Sequence, residues 1–344
     1  MDKHSEKHET YKNDPSSKKK KGKGKRAFLG ILFTLLFLIG LLCFYITYLL
    51  WNVERTDLTQ NEQDLGIGAD VWQDENVINI ALFGVDSRSV EENIGRSDAI
   101  MIASFDAKHH KVKLVSIMRD SQAKVEGYGY TKINHAYAYG GAELAIKTLN
   151  QNFNLNIKDY VTVNFYQLAD VIDALGGMEF EITEAERKNM NFYIKEAADF
   201  AGRDYKLVKK SGLQHLTGEQ VVAYARIRYV GNSDFTRTER QRAVLEQVFQ
   251  KALDTSVVRY PSLLNTMLPM IETSLSNSEI LGIASRLVLF GKPTLEQGRF
   301  PLDGQYRSGG GNLIYDLDEA SAKLHRFLYE DEPFYEEEIE EPAA

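Results

Sequence analysis

The chain has a single cysteine, Cys43, in 344 residues. Disulfides within the chain and cysteine-built metal sites are therefore excluded. No Gly-x-Ser-x-Gly elbow, Walker phosphate loop or His-Glu-x-x-His pair occurs, which excludes the hydrolase, nucleotide and zinc-protease chemistry those motifs carry. No internal repeat is present, so a solenoid is excluded. The most informative absence is local: residues 27–51 contain no charged side chain.

That run is long enough to cross about 30 Å of hydrocarbon, for which about 20 helical residues suffice. Its interruptions are Gly30, Thr34, Gly40, Cys43 and Thr47, small or hydroxyl residues that membrane helices accept. Tyr45, Tyr48 and Trp51 gather at the distal end, where an aromatic belt sits at the headgroups. A cleavable signal has a shorter apolar core and a small-residue cleavage site; Trp51-Asn52-Val53-Glu54-Arg55 offers none. An uncleaved transmembrane signal-anchor is expected.

Residues 1–26 carry ten Lys/Arg against four Asp/Glu, and positive flanks remain cytoplasmic. The remainder holds 31 basic and 45 acidic residues, a net charge of −14. The expected topology is single-pass, type II, in the cell membrane, with the larger part outside the cell. An acidic outer part is a poor partner for nucleic acid, and the basic tail is read as a topology signal touching anionic lipid.

After a polar stalk at residues 52–75, regular apolar patterning continues to residue 328, followed by an acidic tail at residues 329–344. Residues 77–83 form an apolar run ending at Gly84, a buried strand. Residues 99–105 and 112–117 are two more, joined by a short turn and so antiparallel. His109 and His110 fall in that turn and are expected to face solvent. A helix is expected over 141–153, a strand over 160–165, a helix over 166–175 closed by Gly176-Gly177, and a strand over 178–182. Thr217-Gly-Glu-Gln220 and Thr236-Arg-Thr-Glu239 both have the form of a capping box that opens a helix. Alternating strands and helices predict an α/β domain with helices packed on a central mixed sheet.

Three segments fall where sites usually form. Gly84-Val85-Asp86-Ser87-Arg88 follows the first strand, Gly95-Arg96-Ser97-Asp98 precedes the second, and Ser116-Ile-Met-Arg119-Asp120 ends the third. Neighbouring strands would bring Asp86, Asp98 and Arg119 to one sheet edge, where two carboxylates suit Mg2+, with Mn2+ as the alternative. A second cluster is rich in arginine. Arg226 and Arg228 share a face if their segment is extended, and Arg237, Arg240 and Gln241 share a face of a helix start. Helix starts favour anions, and guanidinium groups present paired donors that match phosphate oxygens. Together with Mg2+, this predicts a pyrophosphate-bearing substrate.

The ordered blocks resemble the LytR–CpsA–Psr family of cell-wall proteins in Gram-positive bacteria. They are Asn79-Ile-Ala-Leu-Phe-Gly-Val-Asp-Ser-Arg88, Gly95-Arg-Ser-Asp98, Ser116-Ile-Met-Arg-Asp120, Lys132-Ile-Asn-His-Ala-Tyr137, Gly176-Gly177, Leu216-Thr-Gly-Glu-Gln220, Arg226-Ile-Arg228 and Asp234-Phe-Thr-Arg-Thr-Glu-Arg-Gln-Arg242. Met118 stands where the family often has proline, and Thr236 where it often has glycine.

The resemblance implies an α/β/α domain with an apolar tunnel for a polyprenyl chain. It implies transfer of a glycopolymer, of teichoic acid or capsular type, from a polyprenyl-pyrophosphate carrier to a sugar hydroxyl of peptidoglycan. Asp86 and Asp98 would bind Mg2+, and Arg96, Arg119, Arg226, Arg228, Arg237 and Arg240 would surround the phosphates. The general base is Asp98 or Asp234. Competing readings are a polyprenyl-phosphate-binding protein without chemistry, a pyrophosphatase, and an indirect effect on transcription, the label the family long carried.

Overall fold

The structure is a computed structural model. It describes residues 45–335 apart from residues 46, 49, 52, 60, 86–94, 203, 232, 257–258 and 290–291. Contacts divide the chain into residues 1–48 and 49–344, and the second unit is the folded domain. The expected anchor, the basic tail and Cys43 lie almost wholly outside the described residues. Among the described residues no helix is long and apolar enough to cross a membrane.

Strands β1 (Glu54–Arg55), β2 (Val77–Val85), β3 (Ser97–Asp106) and β4 (Lys111–Ile117) come first. A hairpin of β5 (Gln122–Val125) and β6 (Gly129–Lys132) leads into α1 (His135–Phe153), β7 (Asp159–Asn164) and α2 (Phe165–Ala174). A second small hairpin, β8 (Met178–Ile182) and β9 (Gly212–Leu216), brackets α3 (Glu184–Ala201). Then follow α4 (Gly218–Ala225), α5 (Ser233–Asp254), α6 (Tyr260–Met267), β10 (Ile271–Thr273), α7 (Asn277–Leu289) and β11 (Thr294–Phe300). A last hairpin of β12 (Arg307–Gly309) and β13 (Asn312–Ile314) precedes α8 (Leu317–Tyr329).

The central sheet has seven strands in the order β1-β10-β7-β2-β3-β4-β11. The pairs β2·β3 and β3·β4 are antiparallel, while β2·β7 and β4·β11 are parallel. The expected mixed sheet and the antiparallel pair are present. Strand alternation then sorts the side chains to two faces. Ala81, Phe83, Ile100, Ile102, Val115 and Ile117 pack on α1 and α8 through Ile146, Leu149, Phe153, Leu324 and Phe327. Each of the branched and aromatic side chains among them contributes about 1.5–3 kcal/mol.

The opposite face is packed differently. Met101, Ala103 and Leu114 are buried there, but Leu82, Phe105, Leu295 and, from α5, Leu245 are only partly so. Along α5, Val248, Phe249 and Leu253 are likewise half-buried, as is Ile283 of α7. A closely packed interior would bury such side chains fully. A separate core joins α2, β8, α3, β9 and α4 through Ile172, Phe180, Met190, Ile194, Leu216, Val221 and Ile227.

Four expectations about boundaries need correction. Residues 52–75 are not a free stalk: Glu54–Arg55 pairs with β10 at the sheet edge, and Leu58, Leu65, Ile67 and Val71 enter the main core. The domain does not end at residue 328, since Phe334 is buried beside Phe300 and Phe327. Helix α1 opens at His135 and not at residue 141, and Gly140 and Gly141 form a kink inside it, with Gly141 at φ +63. Helix α5 opens at Ser233, so Thr236 lies inside it and the second expected capping box does not form the start. The first one does: the Thr217 N–H donates to Gln220 Oε1 at 3.0 Å.

Candidate functional site

The directions of pairing place the carboxyl ends of β2, β4, β7 and β11 along one edge of the sheet. Open α/β sheets bind ligands at such an edge. Asp98 opens β3 there, and Arg119 follows β4 by two residues. Arg119 Nη1 donates to Asp98 Oδ1 at 2.6 Å, and Arg228 Nη2 donates to Asp98 Oδ2 at 3.1 Å. One carboxylate therefore gathers two guanidinium groups from segments far apart in the chain. Arg119 and Asp98 are mostly shielded, whereas the Arg228 side chain is 41 % exposed.

Arg226 stands apart from Arg228. It caps α4 in a helical conformation, so the expected extended pair is not formed. Its guanidinium lies 3.6 Å from the Glu196 carboxylate and over the Tyr193 ring at 5.2 Å. The buried Ile227 between them anchors the turn. Arg96 is exposed at the same edge, and its charge reaches His135. Burial, then Arg96 and Lys132, hold His135 below its usual range. Lys132 Nζ donates to Asp120 Oδ1 at 2.5 Å, and Asp120 Oδ2 lies 3.9 Å from Arg119 Nε.

On α5, Arg237, Arg240 and Gln241 do share an inward face, and all three are buried. Thr238 Oγ1 donates to Met118 Sδ at 3.1 Å, fastening the helix to the end of β4. Arg240 is a correction. Its Nε and Nη2 donate to Glu186 Oε1 at 3.0 and 2.8 Å, and its Nη1 and Nη2 also reach the Ile227 and Val230 carbonyls. With four N–H groups so engaged in the core, Arg240 fixes the segment carrying Arg226 and Arg228, where it was expected to surround the phosphates.

Sequence reasoning missed Glu186, although Thr183-Glu-Ala-Glu186 has the capping-box form. Glu186 N–H donates to Thr183 Oγ1, and the Thr183 N–H donates to Glu186 Oε2. Burial would raise the Glu186 carboxyl, but Thr183 and Arg240 together hold it below its ordinary value.

Asp86 and the Asp234 side chain lie outside what the structure describes. Among the described residues the only grouped metal-ligating side chains are Asp106, His109 and Asp331. They sit at the far end of β3, and Lys113 Nζ already bridges the two aspartates at 2.9 and 3.1 Å. His109 Nδ1 lies 2.7 Å from Asp106 Oδ2, so this histidine is not simply turned to solvent. That cluster is a buried ion-pair network. For Mg2+ at the other end, Asp98 supplies an oxygen donor beside arginines that suit phosphate, which fits an ion shared with a pyrophosphate.

The protein is thus a mixed-sheet α/β domain with an arginine-clasped carboxylate at its carboxyl edge. Residues 50–326 match the LytR_cpsA_psr family, and the chain belongs to it. It is 33% identical over 270 residues to the polyisoprenyl-teichoic acid–peptidoglycan teichoic acid transferase TagU of Enterococcus faecalis, covering 76% of this chain and 83% of that one. The TagU of Bacillus anthracis (strain CDC 684 / NRRL 3495) is 30% identical over 270 residues, covering 78% and 82%. Among solved structures, TagT bound to LIIa-WTA superposes with a TM-score of 0.61 at 26% identity, over 79% of this chain and 99% of that one. These relatives support glycopolymer transfer as the class of activity.

Proposed function

We propose that the protein transfers a glycopolymer from a polyprenyl-pyrophosphate carrier to a sugar hydroxyl of peptidoglycan. The observation that carries this reading is the clasp of Asp98 by Arg119 and Arg228 at an edge backed by a half-buried apolar sheet face. The clasp suits a pyrophosphate, and the half-buried apolar side chains between the sheet and α5 suit a polyprenyl chain. The TagU relatives are named for a polyisoprenyl-linked donor and a peptidoglycan acceptor, which supports both halves.

In this reading the acceptor oxygen bonds to the phosphorus that bears the sugar. The bridging P–O bond breaks, and the other phosphate leaves on the polyprenyl chain. The hydroxyl proton passes to a carboxylate, Asp98 or Asp234. Arg119 and Arg228 exchange their bonds to Asp98 for bonds to the phosphates, neutralising charge on the leaving group; such electrostatic positioning is the main source of catalysis in phosphoryl transfer. Arg96, Arg226 and Arg237 add positive potential around it. Asp86 and Asp98 would hold Mg2+, which withdraws charge from the phosphate oxygens.

We read residues 27–51 as the anchor that keeps the domain outside the cell and near its lipid substrate. The test is turnover: the full chain, lipid-linked polymer, Mg2+ and peptidoglycan are incubated together. A covalent polymer–peptidoglycan product with stoichiometric polyprenyl phosphate is expected. Retention of intact carrier by the protein with no product would leave only lipid binding, and release of free polymer phosphate would indicate hydrolysis.

A further inference from the structure

The hairpin of β5 and β6 and the first turns of α1 carry large aromatic side chains that the transfer site does not use. Tyr128, Tyr130 and Tyr139 are 54%, 69% and 44% exposed. Tyr128 and Tyr139 stack on each other, with ring centroids 4.0 Å apart and planes 18° apart. Tyr128 sits in the tight turn between Val125 and Gly129, and its N–H donates to the Val125 carbonyl. Tyr139 sits directly before the kink at Gly140 and Gly141. Both rings are thus held by backbone geometry, each with one face on the other and much of its surface left to water.

Exposed aromatic groups of this kind mark ligand surfaces. The chemistry around them narrows the ligand. On the same hairpin, Tyr130 joins Lys124, Glu126, Gln151, Asn152 and Asp318 around an open hollow of about 480 Å3. Amides, carboxylates and a lysine beside a flat aromatic ring suit a sugar, whose hydroxyls take hydrogen bonds while its C–H face lies on the ring.

Charge then separates two kinds of sugar chain. The hollow holds two carboxylates and one lysine, Lys147 is paired to Glu126, and Lys132 is paired to Asp120. No excess of positive charge awaits a phosphate-rich polymer here. An uncharged pyranose chain suits it better.

The surface is also continuous with the transfer site. Tyr139 lies against His135 at 5.7 Å, and His135 Nδ1 is 2.8 Å from Thr131 Oγ1. His135 is within electrostatic reach of Arg96, Lys132 and Asp120, and Asp120 adjoins Arg119.

We infer that this hairpin, through the stacked Tyr128 and Tyr139 and the separate hollow at Tyr130, is a binding platform for the pyranose rings of the acceptor glycan. The platform aligns an uncharged amino-sugar strand so that one of its hydroxyls reaches the Asp98–Arg119 edge. This rests on the transferase reading for the glycan's role, but the sugar binding itself does not.

The probe is a β-1,4-linked N-acetylglucosamine tetrasaccharide, titrated into the full chain in detergent. Calorimetry gives the affinity, and saturation-transfer NMR shows which protons lie on the rings. Tyr128→Ala and Tyr139→Ala are each expected to weaken binding about tenfold and to raise the acceptor KM by a similar factor. Tyr128→Phe, which keeps the ring, should bind like the parent. Affinity for polyprenyl pyrophosphate should be the same in all of them.

Unchanged tetrasaccharide affinity in both alanine variants would overturn the platform. So would displacement of the tetrasaccharide by free anionic polymer, which would assign the surface to the donor. If the parent binds the tetrasaccharide at these rings yet forms no polymer–peptidoglycan product, the platform stands and the transferase reading fails.

Discussion

Two buried or half-buried arginines in this domain look alike in sequence and do different work. Arg119 bonds the Asp98 carboxylate at an open sheet edge, where an incoming phosphate can replace that contact. Arg240 is locked by Glu186 and two carbonyls within the helical core. Arg119→Ala is therefore expected to lower the transfer rate about 10²–10³-fold, the usual loss for one oriented donor to a developing oxyanion. Its loss of unfolding free energy should be smaller than that of Arg240→Ala, because the Asp98 carboxylate keeps Arg228 as a partner. Arg240→Ala should show the reverse order of effects. It leaves the Glu186 carboxylate buried without its cation, which costs about 3–5 kcal/mol. Denaturant melts of both variants, with transfer assays beside them, check the contrast; equal stability losses would refute it.

The elements meet at places where no side chain fits. A Cβ on Gly218 would stand 1.9 Å from the Ala169 carbonyl oxygen of α2, a contact only glycine avoids. The Gly218 N–H also donates to Asp173 Oδ1 at 2.7 Å, so α4 and α2 are joined backbone to side chain. Gly218→Ala should destabilise the domain by about 1–3 kcal/mol through forced separation of these helices. Chemical denaturation measures it, and a neutral result would show that the two helices can move apart freely. Because α4 ends at Arg226, the same change should also raise the KM for lipid-linked polymer.

Across the whole molecule the sheet carries charged clusters at both ends. At the Asp106 end, burial would raise the carboxyls of Asp106 and Asp331. Hydrogen bonds from His109 and Lys113 to the first, and from Lys111 and Lys113 to the second, hold both below the ordinary value. A carboxyl lowered on folding adds stability that is complete above its unfolded pKa, near 4, and is lost as pH falls through the folded value. The thermal midpoint of the parent should therefore drop as pH falls from about 5 to 3. Asp331→Asn, which has nothing to titrate at that position, should show a shallower drop. A parallel pair of pH profiles would show that this network does not contribute.

What the sequence by itself determined is what depends on local order. Apolar runs specified β2, β3 and β4 to within two residues, since strand burial imposes its pattern on consecutive positions. The ordered blocks specified the family. Asp98, Arg119 and Arg228 were legible as candidates, which the fold brings together, because strand ends and arginine spacing are written along the chain.

Tertiary structure decided the rest. Residues 52–75 read as a polar stalk, yet Leu58, Leu65, Ile67 and Val71 join the core once β1 finds β10, more than 200 residues away. Arg240 and Arg119 have the same side chain, and only the approach of Glu186 on α3 or of Asp98 on β3 tells them apart. An ion pair between distant segments depends on distance in space, which spacing along the chain does not encode.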